Sequence, residues 1–319
     1  MILHIALPED WAAARAAGHY TVSTRGATID RVGFLHASED AAQVGIVGPA
    51  VYADRADAVV LAMHEAALEA AGLTVRREPG VPGDPHSPLF PHVYGGPVPV
   101  GLMTPLPRAD VDPRVVREDD AEAIRLQDAG WTPASTSWGA RLHLADDADL
   151  APYERRVAAV QAAGFQVRRL TADDVGQVRR LDGETAADYP ATAASSHSPL
   201  PEDLAVRLTL PGHLGYGAFR DGVLAGFTLL DRLDDRWDVD RTAVHPTGRR
   251  RGLAAAVKAL SVLETHREDG ARTWGTGGAG ANAGSLAMNR TLGFELEPLW
   301  LALVPALTWP EAAATSGTP

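Results

Sequence analysis

Three consecutive arginines followed by a glycine, in the second half of the chain, have the chemistry to bind a phosphate group. The segment consists of Arg249, Arg250, Arg251, Gly252, Leu253 and Ala254. Unpaired N–H groups and the positive end of the dipole at a helix N-terminus suit a pyrophosphate. Gly252 lets the backbone approach the phosphates, and arginine side chains add charge-assisted hydrogen bonds. Taken alone, the segment fits a basic surface turn before an amphipathic helix equally well.

The residues around this turn predict the elements that position it. Residues 236–245 predict a strand before the turn, and residues 253–266 a helix with one apolar face after it. Two earlier strands, 214–220 and 223–233, are joined by Asp221-Gly222, a strong hairpin signal. The remaining predictions are a strand at 166–170, a capping box formed by Thr171 and Asp174, helices at 202–210 and 282–292, a strand near 273 and a strand pair from 294.

The first part of the chain predicts a small α+β module. Pro and Gly residues crowd the stretches EPGVPGDPHSPLFP and YGGPVP and exclude long helices there. A helix is predicted at 57–71, because Val60, Met63 and Ala67 recur at helical spacing before Gly72. Short strands are predicted at 2–6, 33–37 and 98–102.

Four segments follow from these patterns. We expect a first domain at 1–110, a structured connector at 111–164, a second domain at 165–309 and a disordered tail at 310–319. Within the connector, residues 121–128 and 153–163 predict helices and residues 135–144 a strand.

Composition narrows the function classes. The chain has 319 residues, enough for two domains, and a formal net charge of −12. That charge opposes non-specific binding to nucleic acid and favours a cationic or amine substrate. The sequence contains no cysteine, which excludes disulfides, a cysteine nucleophile and thiolate metal ligands. With neither a basic n-region nor an apolar run of membrane length, we expect a cytoplasmic protein that does not contact membranes.

The pattern Arg-x-x-Gly-x-Ala, between a strand and a helix, resembles the acetyl-CoA loop of the GCN5-related N-acetyltransferases (GNAT). The run from Asn282 to Phe294 resembles that family's later helix, whose Asn and Tyr positions precede a terminal Gly-Phe. LDGETAADYP, TAVHPTGRRRGLAAAVK and MNRTLGF are similar to stretches of an actinobacterial branch that often occurs as tandem copies. The connector resembles the end of a preceding copy, which suggests a relic or a donated strand.

The resemblance implies a mixed central sheet flanked by helices, with acetyl-CoA as co-substrate. It implies a cofactor site made of Ala243, Val244, Arg249, Arg250, Arg251, Gly252, Leu253, Ala254, Asn282 and Asn289. A backbone N–H near Val244 would polarise the thioester carbonyl. Glu184 and Asp188, one helical turn apart, would face the acceptor cleft as candidate bases, with Asp240 and His245 as further candidates.

Two positions depart from the family. Asn289 stands where many members have a Tyr that acts as general acid, and an amide cannot donate that proton. The leaving thiol would then be protonated by water or by Ser285. Gly275-Thr276-Gly277-Gly278 replaces the branch's usual Thr-x-Asn. Both departures favour, as an alternative, a protein that binds CoA and transfers poorly.

Residues 1–110 resemble Domain of Unknown Function 952. Four ordered motifs carry the resemblance: LHI from residue 3, GFLHAS from 33, LFPHVYG from 89 and PLPR from 105. That family's fold is related to ADP-ribosyltransferases, which bind NAD between two small sheets. The resemblance implies a pocket with His4, His36, Ser38, Glu78 and His92. The alternatives are histidines with structural hydrogen bonds, or a metal site, for which the spacing shows no ligand pattern.

The sequence therefore predicts an acetyl-CoA-dependent N-acyltransferase for a small-molecule amine, without a metal, as a monomer or homodimer. The alternatives are a CoA-binding regulatory or scaffold protein with a degenerate transferase site, and a bifunctional protein whose N-terminal module binds NAD or a nucleotide.

Overall fold

The computed structural model describes residues 1–80, 87–189 and 198–307. The chain folds as two separate units. The first contains Met1–Val116 and Asp120–Ala134, with the segment that begins at Leu301. The second contains Arg117–Asp119 and Ser135–Trp300. The predicted disordered tail lies outside the described residues.

The first half of the chain alternates short strands and helices. In chain order these are β1 (Ile2–Ala6), α1 (Pro8–Ala17), β2 (His19–Tyr20), β3 (Val22–Thr24), β4 (Ala27–Thr28), α2 (Ile29–Val32), β5 (Leu35–His36), α3 (Ala41–Val51), β6 (Val59–Met63), α4 (Glu65–Ala70), β7 (Thr74–Pro79), β8 (Leu89–Tyr94), β9 (Val98–Pro99), β10 (Met103–Leu106), β11 (Arg114–Arg117) and α5 (Ala121–Asp128).

Longer strands and helices follow. They are β12 (Thr132–His143), α6 (Ala151–Ala162), β13 (Gln166–Arg169), α7 (Val175–Thr185), α8 (Leu204–Arg207), β14 (His213–Arg220), β15 (Val223–Leu233), β16 (Arg236–Val244), α9 (Leu253–Asp269), β17 (Thr273–Ala279), α10 (Ala283–Thr291), β18 (Glu295–Leu296) and β19 (Trp300–Val304). Helices of the described ranges are all too short or too polar to span a bilayer.

The first unit holds two three-stranded antiparallel sheets, in the orders β1-β6-β10 and β5-β8-β7. The helix predicted at 57–71 is wrong for the first half of that segment, which forms the central strand β6. Only the second half of the segment is helical, as α4. Pairing with β1 and β10 on both edges buries Val60, Leu61, Ala62 and Met63. A strand buried on both faces has a continuous apolar run, which helical spacing also fits.

Three other predicted elements are shorter in the structure. The strand predicted at 33–37 is only Leu35–His36, and the one at 98–102 ends at Pro99 and continues as a 3₁₀ turn. The helix predicted at 202–210 is the single turn Leu204–Arg207. Each lies beside Pro or Gly residues, which interrupt regular structure.

A mixed sheet organises the second unit. Its strand order is β12-β17-β16-β15-β14-β13, with parallel pairing between β16 and β17. The predicted hairpin is confirmed: Asp221 and Gly222 both have positive φ, 51° and 76°, as a type I′ turn requires. The capping box of Thr171 and Asp174 is confirmed as well.

The second unit begins earlier than the predicted boundary at 165. Strand β12 pairs with β17 from Ser137 to His143, and α6 packs on α9. Trp138 and Leu142 of β12 are buried in the same core as Val257 of α9. The strand predicted within the connector is therefore part of this sheet. Its origin as a relic of a preceding copy stays a prediction.

Candidate active site

A cavity of about 920 Å³, the main cavity, lies where β16 and β17 separate. The two strands pair only at Trp237–Trp274 and Asp238–Gly275. Beyond this point both strands line the main cavity, β16 with residues 239–244 and β17 with residues 276–279. We therefore expect the facing edge of β16 to offer backbone groups to an extended ligand.

The arginine turn closes one part of the main cavity. Arg250 and Gly252 both have left-handed backbones, with φ of 62° and 78°. For the non-glycine residue this conformation costs about 1–2 kcal/mol, and such strain concentrates at functional sites. Gly252 is the N-cap of α9, and no side chain of the described residues caps it. The first N–H groups of a 17-residue helix are thus available to an anion.

Most residues of the predicted cofactor site line the main cavity: Ala243, Val244, Arg249, Arg250, Gly252, Leu253, Ala254 and Asn282. Two others do not. Arg251 instead lines a neighbouring cavity of about 540 Å³, the smaller cavity. Asn289 is 0% exposed and lies behind the cavity wall.

The two predicted carboxylates do not face one cleft. Asp188 lines the main cavity and forms an ion pair with Arg249. Glu184 lines the smaller cavity, where its carboxylate lies 3.7 Å from Nε2 of His245. The α-helix ends at Thr185 and continues as the 3₁₀ turn Ala186–Asp188, so the four-residue spacing no longer places both side chains on one face.

The other candidate bases are also separated. Asp240 lines the main cavity and accepts a hydrogen bond from Nε of Arg241 at 2.9 Å. Arg241 donates to the buried Asp182 at 2.9 Å as well. His245 lines the smaller cavity and accepts from the backbone N–H of Thr247 at 3.3 Å, so it caps the turn after β16.

Lys258, which the sequence analysis did not single out, lines the main cavity from α9. Its Nζ donates to Oγ1 of Thr276 at 2.9 Å and to Oδ1 of Asn289 at 2.7 Å. Burial lowers the pKa of Lys258 to about 7. One feature of the sequence distinguishes this residue: among the 29 lysine and arginine residues of the chain, Lys258 is the only lysine.

The structure explains both departures from the family pattern. The amide of Asn289 donates to the carbonyl of Ser285 at 3.0 Å while its oxygen accepts from Lys258, and Ser285 itself lines the main cavity. At Gly277 and Gly278 a Cβ would lie 3.0 Å from the carbonyl oxygen and 2.8 Å from the ring of Trp138. Glycine is therefore needed where β12 approaches β17.

In the first unit, the rings of His36 and His92 pack against Phe34, and Glu78 contacts His92. The Phe34 ring stacks on His92 with centroids 4.0 Å apart, and the two histidine rings are 5.1 Å apart. Glu78 accepts from the hydroxyl of Tyr94 at 2.6 Å and lies 2.7 Å from Nδ1 of His92. These two hydrogen bonds hold the pKa of Glu78 below its usual range. Across the described ranges, acidic and histidine side chains form no group suited to a metal ion.

His4 and Ser38 are held by hydrogen bonds to backbone groups and, for His4, to Tyr20. Nδ1 of His4 donates to the carbonyl of His36 at 2.7 Å, and Nε2 accepts from the hydroxyl of Tyr20 at 3.0 Å. A carbonyl only accepts, which fixes this tautomer. Ser38 exchanges backbone hydrogen bonds with Leu3. These bonds give His4 a structural role in holding β1.

Two family models match separate parts of the chain. Residues 5–111 match a model described as "Protein of unknown function (DUF952)", and residues 180–294 match "Acetyltransferase (GNAT) family". The first description names no ligand, so NAD binding and the ADP-ribosyltransferase-like fold stay predictions. No curated protein matches the chain.

Several solved structures are similar at low identity. A GCN5-related N-acetyltransferase from Kribbella flavida is 18% identical, with 61% of this chain and 68% of that chain covered, at a TM-score of 0.40. A tandem GNAT protein from the clavulanic acid biosynthesis pathway, solved without AcCoA, is 18% identical, with coverage of 62% and 64% and a TM-score of 0.41. A GCN5-related N-acetyltransferase from Sphaerobacter thermophilus is 15% identical, with 62% of this chain and 61% of that chain covered, at a TM-score of 0.44. The chain spans less than two thirds of the latter two.

The two family matches fall on different parts of the chain, and the main cavity lies within the part that includes the second match. This second match supports an acyltransferase-type function for that part of the chain. The chain thus contains a region that matches the DUF952 family at residues 5–111, followed by a region that matches the acetyltransferase (GNAT) family at residues 180–294.

Proposed function

We propose that the second unit transfers an acyl group from acetyl-CoA to the amino group of a small molecule. One observation carries the proposal. A single cavity joins the anion-binding turn, the gap between two separating strands and the carboxylate of Asp188. A diphosphate, an extended chain bearing the thioester, and a cationic acceptor each have a matching part of this cavity.

The residues present fit acetyl-CoA. The diphosphate would bind to Arg249, Arg250 and the N–H groups at the start of α9. The volume of about 920 Å³ lies within the range of pockets that bind cofactor-sized molecules. When bound, acetyl-CoA supplies an activated acyl thioester.

The edge of β16 would orient that thioester. Amide groups of the pantetheine arm can hydrogen-bond to the backbone of residues 239–244 as an added strand does. The N–H of Val244 is our candidate donor to the thioester carbonyl, where negative charge develops during attack.

Two carboxylates of the main cavity would attract the acceptor amine, and one of them would accept its proton. Asp188 and Asp240 both line the main cavity, and carboxylates concentrate cations. A diphosphate that engages Arg249 competes with Asp188 for the guanidinium group, which releases this carboxylate. Asp188 then takes the proton that the amine nitrogen loses as it bonds to the acyl carbon.

Thiol release from acetyl-CoA, measured with a panel of polyamines, amino sugars and amino acids, tests this proposal. We expect release that depends on one class of amine, with the acetylated amine detected by mass spectrometry. If the chain binds acetyl-CoA but no amine stimulates release, the CoA-binding regulatory or scaffold function is favoured instead. If neither acetyl-CoA nor CoA binds at millimolar concentration, the proposal is wrong.

NAD binding by the first unit is tested in the same way. NAD should raise the unfolding temperature if it binds the folded state. Replacement of His92 should then abolish that shift, and an unchanged unfolding temperature would remove NAD as the ligand of the first unit.

A further inference from the structure

Lys258 is a buried ammonium group without a countercharge among the described residues. It is 2% exposed, and both acceptors of its hydrogen bonds, Thr276 and Asn289, are neutral. Lysine is almost never fully buried unless it is paired, because desolvation of the charge is costly. An ionisable group that is perturbed by burial and lies at a cavity wall is a candidate for a chemical role.

The residue type supports a chemical role. The chain contains 28 arginines and one lysine. Arginine remains charged at any pH at which proteins are folded, whereas the ammonium group of lysine loses its proton readily when it is buried. At this one position the chain therefore has the basic side chain that can donate and regain a proton.

Charged groups nearby do not account for the proton affinity of Lys258. Burial is the single cause that lowers its pKa to about 7. The same cavity is lined by Asp188, Asp240, Arg241, Arg249 and Arg250. Groups on elements packed against α9 lie near its later turns: Arg169 of β13 pairs with Glu268, Glu154 of α6 pairs with Arg267, and Tyr216 of β14 faces Glu264.

The hydrogen bonds of Lys258 orient it toward the cavity. An ammonium group has three donors, and two are used by Thr276 and Asn289. The ring centroid of Phe294 lies 5.5 Å from Nζ. Thr276 and Lys258 both line the main cavity, while Asn289 does not. One N–H of Lys258 thus remains for a ligand between β16 and β17.

We propose that Lys258 is the general acid that protonates the thiol leaving group. This inference rests on the proposed function. As the amine nitrogen bonds to the acyl carbon, the carbon–sulfur bond breaks and sulfur keeps its electron pair. Nζ of Lys258 gives sulfur a proton and becomes a neutral amine, which regains a proton from solvent. Asn289 and Thr276 are positioning residues, and Asn289 holds the acid instead of being one.

The proton affinities favour this direction of transfer. An ordinary thiol has a pKa of about 8.5 and an ordinary lysine one of about 10.4, so unperturbed lysine would be too weak an acid. Burial makes Lys258 a stronger acid than the thiol. Ser285, the donor considered from the sequence, also reaches the cavity, but an alcohol is a far weaker acid than either group.

The single lysine makes a direct experiment available. Protein labelled with ¹⁵N-lysine has one side-chain signal, whose titration is followed in the full chain with CoA and with desulfo-CoA, which lacks sulfur. We expect ionisation of the bound thiol to raise the pKa of Lys258 by at least one unit with CoA and to leave it unchanged with desulfo-CoA. Equal titration curves with the two ligands would overturn the proposal without use of any variant.

Variants give the second readout. In Lys258→Met, the ultraviolet absorbance of the CoA thiolate should appear at higher pH than in the wild type, and kcat should fall by about 10²-fold or more. Lys258→Arg keeps the positive charge, but a guanidinium group does not give up a proton to the thiolate, so kcat should fall similarly. Ser261→Ala, one turn further along α9, is the control: it removes a buried hydroxyl that donates to the backbone carbonyl of Lys258 at 2.8 Å but leaves Nζ and its acceptors in place, so it should change neither quantity.

The outcomes separate the two proposals. If wild-type protein binds CoA and transfers acyl groups while Lys258→Met keeps the same thiol pKa and kcat, the role of Lys258 is wrong and the proposed function stands. If wild-type protein does not bind CoA, both are wrong.

Discussion

Arg249 forms an ion pair with Asp188, 61 residues earlier in the chain, and both side chains line the main cavity. The pair links the anion-binding turn to the acidic part of the same cavity. A bound diphosphate and Asp188 must therefore compete for one guanidinium group. When a diphosphate binds to Arg249, it therefore also frees the carboxylate of Asp188 to act as a base.

The Asp188→Asn variant tests this relationship. We expect it to bind CoA several-fold more tightly, since Arg249 is free, while kcat falls at least tenfold because the base is lost. Asp240→Asn, in the same cavity, removes a group that attracts the cationic amine but not the base, so it should raise the KM for the amine while kcat stays within threefold. Calorimetry and steady-state kinetics measure both effects, and a loss of CoA affinity in Asp188→Asn would contradict the competition.

Lys258 should make folding stability depend on pH. Its folded-state pKa of about 7 lies below its ordinary value of 10.5. Between these values the unfolded chain keeps a proton that the folded chain has released, so the free energy of unfolding rises with pH across this window. Denaturation at about pH 7 and about pH 9.5 should show an increase of a few kcal/mol. The increase should be smaller in Lys258→Met. If the free energy of unfolding rises equally with pH in the two proteins, Lys258 stays charged in the folded state across this window, which contradicts the prediction.

His4 should stay neutral at pH values well below those at which a histidine ordinarily gains a proton. Burial lowers its pKa to about 4. Below pH 6.5 the unfolded chain gains a proton that the folded chain does not, so the stability of the first unit falls as the pH drops from about 6.5 to 4. Hydrogen exchange of the β1 and β6 amides measures this loss, and His4→Gln should reduce its pH dependence. Titration of the His4 ring near pH 6.5 would refute the structural role.

The hairpin at Asp221-Gly222 offers a stability test free of side-chain contacts. Space is open around both Gly222 and Gly183, but only Gly222 has a positive φ. Gly222→Ala should therefore destabilise the second unit by about 1–2 kcal/mol. Gly183→Ala, within α7, should stabilise it by about 0.5–1 kcal/mol. Thermal denaturation compares the two, and shifts of the same sign would contradict the assigned turn.

Local patterns made much of the second unit predictable. Asp221-Gly222, the capping box at Thr171 and the glycine before α9 each depend on a few neighbouring residues, and the structure has all three. Strand β6 was misassigned because burial on both faces removes the alternation that marks a strand. The true helix begins only after His64.

The candidate site was predictable only where it is local. The arginine turn is contiguous, whereas the environment of Lys258 is made by residues 18 and 31 positions away. Periodicity places Lys258 on α9 but cannot tell that β17 and α10 enclose it. Likewise, spacing alone could not reveal that a 3₁₀ turn directs Glu184 and Asp188 to different cavities.

Calorimetric titration of the full chain with CoA tests the central claim most directly. We predict one saturable site per chain. Arg250→Asn, which tolerates the left-handed backbone, should weaken binding about tenfold by loss of a charge-assisted hydrogen bond. Arg267→Gln, at the opposite end of α9 from the turn, should bind like the wild type. No binding at millimolar CoA, or equal losses in the two variants, would contradict the assignment of the turn as the diphosphate site.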